Sequence, residues 1–185
     1  TTNWNTAQTV TITGVDDDSN DGTQEYTIVL AAATSSDSNY SGLNPNDVTL
    51  SNTNDDVPAI TTGTVSGSTT EGGGTATFTV RLATQPNGDV VLDVASSNTD
   101  EGTVSDATLT FTSSNWDTTQ ALTLTGQNDY VDDGNQSYSI QLSINTGSTA
   151  DTTGYASVSA SSVSVTNTDD DTVGFTISSI SGNTT

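Results

Sequence analysis

Apolar residues in this chain alternate with threonine over short runs. Ala76, Phe78, Val80 and Leu82 are separated by Thr77, Thr79 and Arg81, and Ala107, Leu109 and Phe111 by Thr108 and Thr110. A period of two sends successive side chains to opposite faces of a strand. Val90, Leu92 and Val94 share one face; Leu122 with Leu124, then Tyr138, Ile140, Leu142 and Ile144, then Val163 with Val165, continue the pattern. A first strand near Ile60 to Val65 brings the total to about seven, punctuated by Gly, Asn and Asp. Strands at this spacing predict an all-β, Ig-like antiparallel sandwich in which each sheet keeps one wet face. No segment sustains a 3.6-residue apolar period, so essentially no helix is expected.

The pattern also repeats. Asn3-Trp4 returns as Asn115-Trp116, and Gln8 to Gly14 lies over Gln120 to Gly126 without a gap. Asp21-Gly22 matches Asp133-Gly134, and Tyr26 to Leu30 matches Tyr138 to Leu142. After a short insertion near Thr146 to Thr153, Asn52-Thr53-Asn54-Asp55-Asp56 matches Asn167-Thr168-Asp169-Asp170-Asp171. A repeat of about 115 residues is a domain rather than a solenoid unit. The expected layout is the C-terminal half of one repeat (1–57), one complete repeat (58–171) and the opening strand of a third (172–185). The chain has no starting Met and no signal peptide, and reads as a piece of a longer tandem array.

Composition narrows the chemistry. The chain carries 23 acidic residues, one basic residue, no His and no Cys, for a net charge of −22. Nucleic-acid affinity comes from cations that neutralise phosphates, so a nucleic-acid partner is excluded, as is attraction to an anionic membrane. No apolar run is long enough to insert into a membrane. Disulfides, thiolate nucleophiles, imidazole bases and soft-metal sites have no residues to form them. Oxygen donors remain, and they suit Ca²⁺. Thr and Ser make up about a third of the chain and apolar residues 30%. Low hydropathy with high net charge is also how a disordered acidic linker reads. The β-branched alternation argues against that, because Thr sits well on a half-exposed pleated face.

The acids are grouped. In the complete repeat Glu71 precedes Gly72-Gly73-Gly74, Asp100-Glu101 follows the Val94 strand, Asp129, Asp132 and Asp133 precede the Tyr138 strand, and Asp169-Asp170-Asp171 closes the repeat. In the partial first repeat Asp16, Asp17, Asp18 and Asp21, then Asp55 and Asp56, are the counterparts. Two carboxylates about 4 Å apart repel by roughly 4 kcal/mol at an effective dielectric near 20. Such groups would consume the thin margin of a folded domain unless a cation sits among them.

The order Glu-Gly-Gly-Gly-Thr-Ala-Thr-Phe-Thr-Val (71–80), Leu-Thr-Phe (109–111), Asp-Tyr-Val-Asp-Asp-Gly (129–134) and the Asp triplet (169–171) resembles the Calx-beta module. It is similar above all to the versions strung in arrays on bacterial surface proteins. The resemblance implies a seven-stranded sandwich that binds Ca²⁺ where its loops meet the linker. It implies as ligands Glu71, an acid at Asp100 or Glu101, Asp129, Asp132 or Asp133, and Asp169 to Asp171. The middle motif is poorer in Glu than the family's usual one, so fewer ions, or water at one ligand position, are expected. A dissociation constant of order 10⁻⁴–10⁻³ M fits extracellular calcium modules.

Other residues take plainer roles. Asp37, Asp47, Asp89 and Asp151 are expected to cap turns. Trp4 and Trp116 are expected in core or sheet-edge packing, and the Gly72–Gly74 run as a bulge or tight turn. Arg81 is expected on an outward face near a carboxylate. Sequons at Asn39, Asn135 and Asn183 permit surface glycosylation. The expected function is structural: a calcium-rigidified spacer in a secreted or cell-surface, bacterial, adhesive or biofilm-matrix protein, with neighbouring repeats as partners. A carbohydrate- or partner-binding module using the Trp and Tyr residues is the alternative. Open strand edges leave room for self-association. Paired carboxylates can hydrolyse glycosides, but aromatics are 5% and the acidic motif recurs per repeat, so no enzyme is expected.

Overall fold

The computed structural model describes residues 3–182. The chain divides into two compact units, Thr1–Asp56 and Val57–Thr185. Among the described residues all regular structure is β, apart from one 3-10 turn at Tyr155–Ser157. Among the described residues no helix is long and apolar enough to cross a membrane.

The first unit is a two-stranded antiparallel ribbon, β1 (Gln24–Ile28) with β2 (Val48–Asn52), in the register Gln24↔Asn52 and Tyr26↔Leu50. The second unit is a sandwich of two sheets. β3 (Ile60–Thr62), β5 (Thr75–Leu82), β9 (Gln120–Gly126) and β7 (Gly102–Val104) form one, ordered β3-β5-β9-β7. β4 (Thr69–Thr70), β11 (Ser161–Thr168), β10 (Gln136–Ile144), β6 (Val90–Ser96) and β8 (Thr108–Phe111) form the other, ordered β4-β11-β10-β6-β8.

The alternation read from sequence builds the core. Phe78, Val80 and Leu82 of β5 and Leu122 and Leu124 of β9 face Val90 and Leu92 of β6, Phe111 of β8 and Ile140 and Leu142 of β10, all fully buried. The intervening Thr residues of β5 and β9 stay exposed or half-buried. Each buried aliphatic or aromatic side chain contributes about 1.5–3 kcal/mol.

Three features depart from the sequence expectation. The sandwich has nine strands rather than about seven, because β4 and β7 are too short to show a period. The pairing is antiparallel except for β4 with β11, which is parallel through Asn167↔Thr69 and Thr168↔Thr70. The run expected as one strand from Ile60 to Val65 ends at Thr62; the chain then crosses to the second sheet as β4. Residues 172–182, expected to open a further strand, form none, and Val173, Phe175, Ile177 and Ile180 stand exposed.

The first unit keeps the register of the matching strands of the second. Gln136↔Asn167 and Tyr138↔Val165 in β10–β11 correspond to Gln24↔Asn52 and Tyr26↔Leu50. Trp116 packs against the core. Trp4, expected in core or edge packing, is instead 83% exposed: among its described residues the first unit has only β1 and β2 to offer, and no core like the one Trp116 packs against. Arg81 donates to the Leu82 carbonyl (3.1 Å) rather than to a carboxylate.

One end of the sandwich is closed by Asp151 and Tyr155. The Tyr155 hydroxyl accepts from Thr84 N (3.0 Å) and donates to Thr84 O (2.8 Å). Asp151 is 3% exposed and accepts from Asn87 N (3.0 Å), Thr153 N (3.2 Å) and Gly154 N (2.8 Å). Burial pushes its pKa up, but these backbone donors outweigh burial and hold it below the ordinary value. Its stabilisation is therefore present above the unfolded-state pKa and is lost as pH falls through the lower native one. Asp151→Ala is expected to cost about 2–3 kcal/mol in urea unfolding at pH 7. The gap from wild type should narrow on acidification toward pH 3, and a gap that stays constant would contradict this role.

Candidate metal centre

The other end of the sandwich gathers the segments that precede β5, precede β7, link β9 to β10 and follow β11. Strand polarity brings them together: Thr75 pairs Thr125, Gly102 pairs Gly126 and Gln136 pairs Asn167. Each of these segments carries acids.

Glu71 follows β4 directly, and its backbone N–H continues the parallel ladder to Thr168 O (3.0 Å). The chain then turns through Gly73, whose φ of 83° favours glycine and whose N–H bonds Thr70 O (3.0 Å). The Glu71 side chain is 3% exposed. It meets Asp169 and Asp171, each contributing one carboxylate oxygen, with all these oxygens within 4.8 Å of one another. Asp169 is fixed by donors on both oxygens, Asp171 N (2.8 Å) and Gly134 N (2.8 Å).

A second group joins Glu101, 8% exposed, to Asp129 and Asp133 within the same limit. Gln127 N bonds Glu101 O (3.0 Å) and ties the segment before β7 to the β9–β10 connection. That connection curls on itself: Asp129 Oδ1 accepts Val131 N (2.9 Å) and Val131 O accepts Asp133 N (2.8 Å). Tyr130 at its tip has φ 63°, the one left-handed non-glycine among the described residues.

The electrostatics are severe. Burial is the largest cause raising the Glu71 pKa to about 7, followed by the charges of Asp169, Asp129, Asp171 and Asp133. Because Asp129 and Asp133 act on Glu71, the two groups form one anionic region. Asp171 is also raised, by burial and then by Asp170, Asp169, Asp129 and Asp132. Glu71 Oε2 and Asp171 Oδ2 are buried with no hydrogen-bond partner. Buried polar atoms are normally paired, and an unpaired carboxylate oxygen is costly. Oxygens bound to one Ca²⁺ at about 2.3–2.6 Å lie no more than about 5 Å apart, so both groups fit a hard divalent cation.

Six of the expected ligands thus come together: Glu71, Asp169 and Asp171, and Glu101, Asp129 and Asp133. Three fall outside the groups. Asp100 is exposed, and Glu101, at the end of the same turn, takes the inner place. Asp132 accepts Val173 N (3.1 Å). Asp170 is exposed, with Oδ2 lying over Gly72. In the first unit, Asp16, Asp17, Asp21, Asp55 and Asp56 line a hollow of about 450 Å³, and Asp18 is exposed beside it. Burial and the charges of Asp55, Asp16, Asp17 and Asp18 raise Asp56. Neither three-carboxylate group lies in that unit among the described residues; it contains no counterpart of Glu71 or Glu101.

The acids expected to cap turns divide. Asp37 accepts Asn39 N (2.9 Å) and Asp151 caps its own turn, whereas Asp47 reaches across to Leu30 N (2.8 Å). For Asp89 the bond shown is through its carbonyl, to Ala150 N (2.7 Å). The sequon residue Asn135 accepts Asp169 N (3.1 Å) through its amide oxygen; Asn183 lies outside the described residues. Sequence reasoning missed Asn167, a fully buried amide beneath the acids. Its match with Asn52 in the repeat was the available signal.

No known family profile and no curated protein sequence matches the chain. Among solved structures it is similar to SSP-19, an MSP-domain protein like family member in Caenorhabditis elegans. Identity is 11% and the TM-score 0.37, over 57% of this chain and 97% of that one.

The raised Glu71 pKa gives metal-free protein an unusual pH response. The native state holds the Glu71 proton more tightly than the unfolded chain, so this group's contribution to stability falls as pH rises from about 4.5 to about 7. In chelator, the fall in wild-type melting temperature between pH 5 and pH 8 should be steeper than that of Glu71→Gln. Parallel profiles would show that Glu71 does not titrate in this range.

Proposed function

We propose that this chain is a structural segment of a secreted or cell-surface repeat protein, a Calx-beta-like spacer that binds Ca²⁺ at one end of each sandwich. The observation that carries this reading is the pair of buried, unpartnered oxygens, Glu71 Oε2 and Asp171 Oδ2, inside a carboxylate group of ligand spacing. Glu71, Asp169 and Asp171 would hold one ion, and Glu101, Asp129 and Asp133 another. The metal supplies positive charge that the chain itself lacks at this end. The donors span four segments, including 169–171 at the exit of the sandwich. Cation binding would therefore draw the exit segment against the loops and stiffen the passage to whatever follows. Adhesion or matrix building is the role that suits such a stiffened acidic rod, with neighbouring repeats as its partners.

A non-catalytic role fits the residue inventory. Without His, Cys or Lys, acid–base work would fall to carboxylates. Those that are grouped face one another around ion-sized gaps. The carbohydrate-binding alternative is weakened because Trp116, one of its two tryptophan platforms, packs against the core.

Millimolar Ca²⁺ is expected to raise the melting temperature of the chain by several degrees and to protect residues 169–175 from limited proteolysis. A doubly substituted Glu71→Gln, Glu101→Gln protein should lose most of both effects. Identical melting and cleavage with Ca²⁺ and with chelator would overturn the proposal.

A further inference from the structure

Beneath the two carboxylate groups lies a connected set of uncharged polar side chains that none of the roles above uses. Asn167, 0% exposed on β11, sits at its centre. Its Nδ2 donates to Gln127 O (2.9 Å) and, at 3.4 Å, to Glu101 Oε2. Its Oδ1 accepts from Thr69 Oγ1 (3.0 Å), and the same hydroxyl lies 3.2 Å from the Tyr138 OH. Thr69 is also fully buried, and two residues later the same segment delivers Glu71.

The surrounding backbone is cut to admit this amide. A Cβ on Gly126 would collide with Asn167 Oδ1 and with the Thr70 carbonyl, and a Cβ on Gly102 would collide with the Tyr138 ring. The first unit repeats the arrangement. Asn52 Nδ2 donates to Val15 O (2.7 Å), and Gly14 leaves the space for Asn52 Oδ1. A buried amide that uses donor and acceptor in opposite directions fixes what lies on both sides of it.

We propose that Asn167 is the positioning residue of the cation site, holding the Glu101 carboxylate with its NH₂ and, through Thr69, the strand that presents Glu71. The inference rests on the calcium reading above. Asn167 touches no ion; it acts through ligands that it orients, as outer-shell partners of metal sites do. It also sets the Glu71 group and the Glu101 group relative to each other, because the two run from opposite ends of one carboxamide.

The test uses the full chain, with calorimetric Ca²⁺ titration and Tb³⁺ luminescence lifetimes in H₂O and D₂O, which count waters on the bound ion. Asn167→Ala is expected to weaken Ca²⁺ binding by about 10–100-fold and to add bound water on Tb³⁺. Leu82→Ala, a buried-core change at the far end of β5, should lower the melting temperature while leaving affinity and hydration as in wild type. Should Asn167→Ala fail to fold, Thr69→Val keeps the volume, removes the hydroxyl and should show a smaller loss of the same kind. Affinity and hydration unchanged in Asn167→Ala, or in Thr69→Val where that variant is used, or changed no more than in Leu82→Ala, would overturn the inference while leaving the calcium reading intact. A wild-type chain that binds neither ion would overturn both.

Discussion

Like-charge crowding at one end of the sandwich is the constraint around which this chain is arranged. The sequence offers one basic side chain against 23 acids, and Arg81 spends its bond on the Leu82 carbonyl. The barrel of the sandwich avoids the problem by using Thr where another protein would use charge. Its outward strand positions are mostly Thr, Ser and Gln, with Asp93 and Arg81 the charged exceptions, so the core assembles without carboxylates facing each other across the strands. The repulsion is collected in the loops, where Glu71 and Asp171 are pushed toward their protonated forms.

Much of the sandwich was readable from the residues. The runs from Ala76 to Leu82 and from Tyr138 to Ile144 carry a period of two over enough positions to fix both strand and inward face. Thr69–Thr70 and Gly102–Val104 do not, since two or three residues hold no period. Their strand character comes from partners distant in sequence, β11 and β9. The parallel pairing of β4 follows from the chain crossing between sheets after Thr62, and no local signal announces such a crossing. Trp4 misled for a related reason: its likeness to Trp116 is local, but the packing of Trp116 is supplied by distant strands.

The acidic end was legible as a grouping and not as a partition. Spacing identified which loops carry acids. It could not tell Glu101 from Asp100, a choice made by which of two neighbouring residues turns inward. Nor could it show that Glu71 joins Asp169 and Asp171 while Glu101 joins Asp129 and Asp133. The two copies of the acidic segments also differ in a way only geometry interprets. Where the complete unit has Asp132 and Asp169, the first has Asn20 and Asn54, and those two amides bond each other at 2.9 Å. In the sandwich Asp132 and Asp169 instead accept backbone N–H groups, Val173 N for the first and Asp171 N and Gly134 N for the second.

The parallel pairing of β4 with β11 has a mechanical consequence. These strands lie near the entry and the exit of one sandwich and run in the same direction. Tension applied along the chain pulls β4 back toward its start and β11 on toward its end. The bonds between them are then loaded side by side, in shear, instead of being unzipped one after another. The Thr69–Asn167 contact spans this seam, so the module carries its tensile clasp at the same end as its carboxylates.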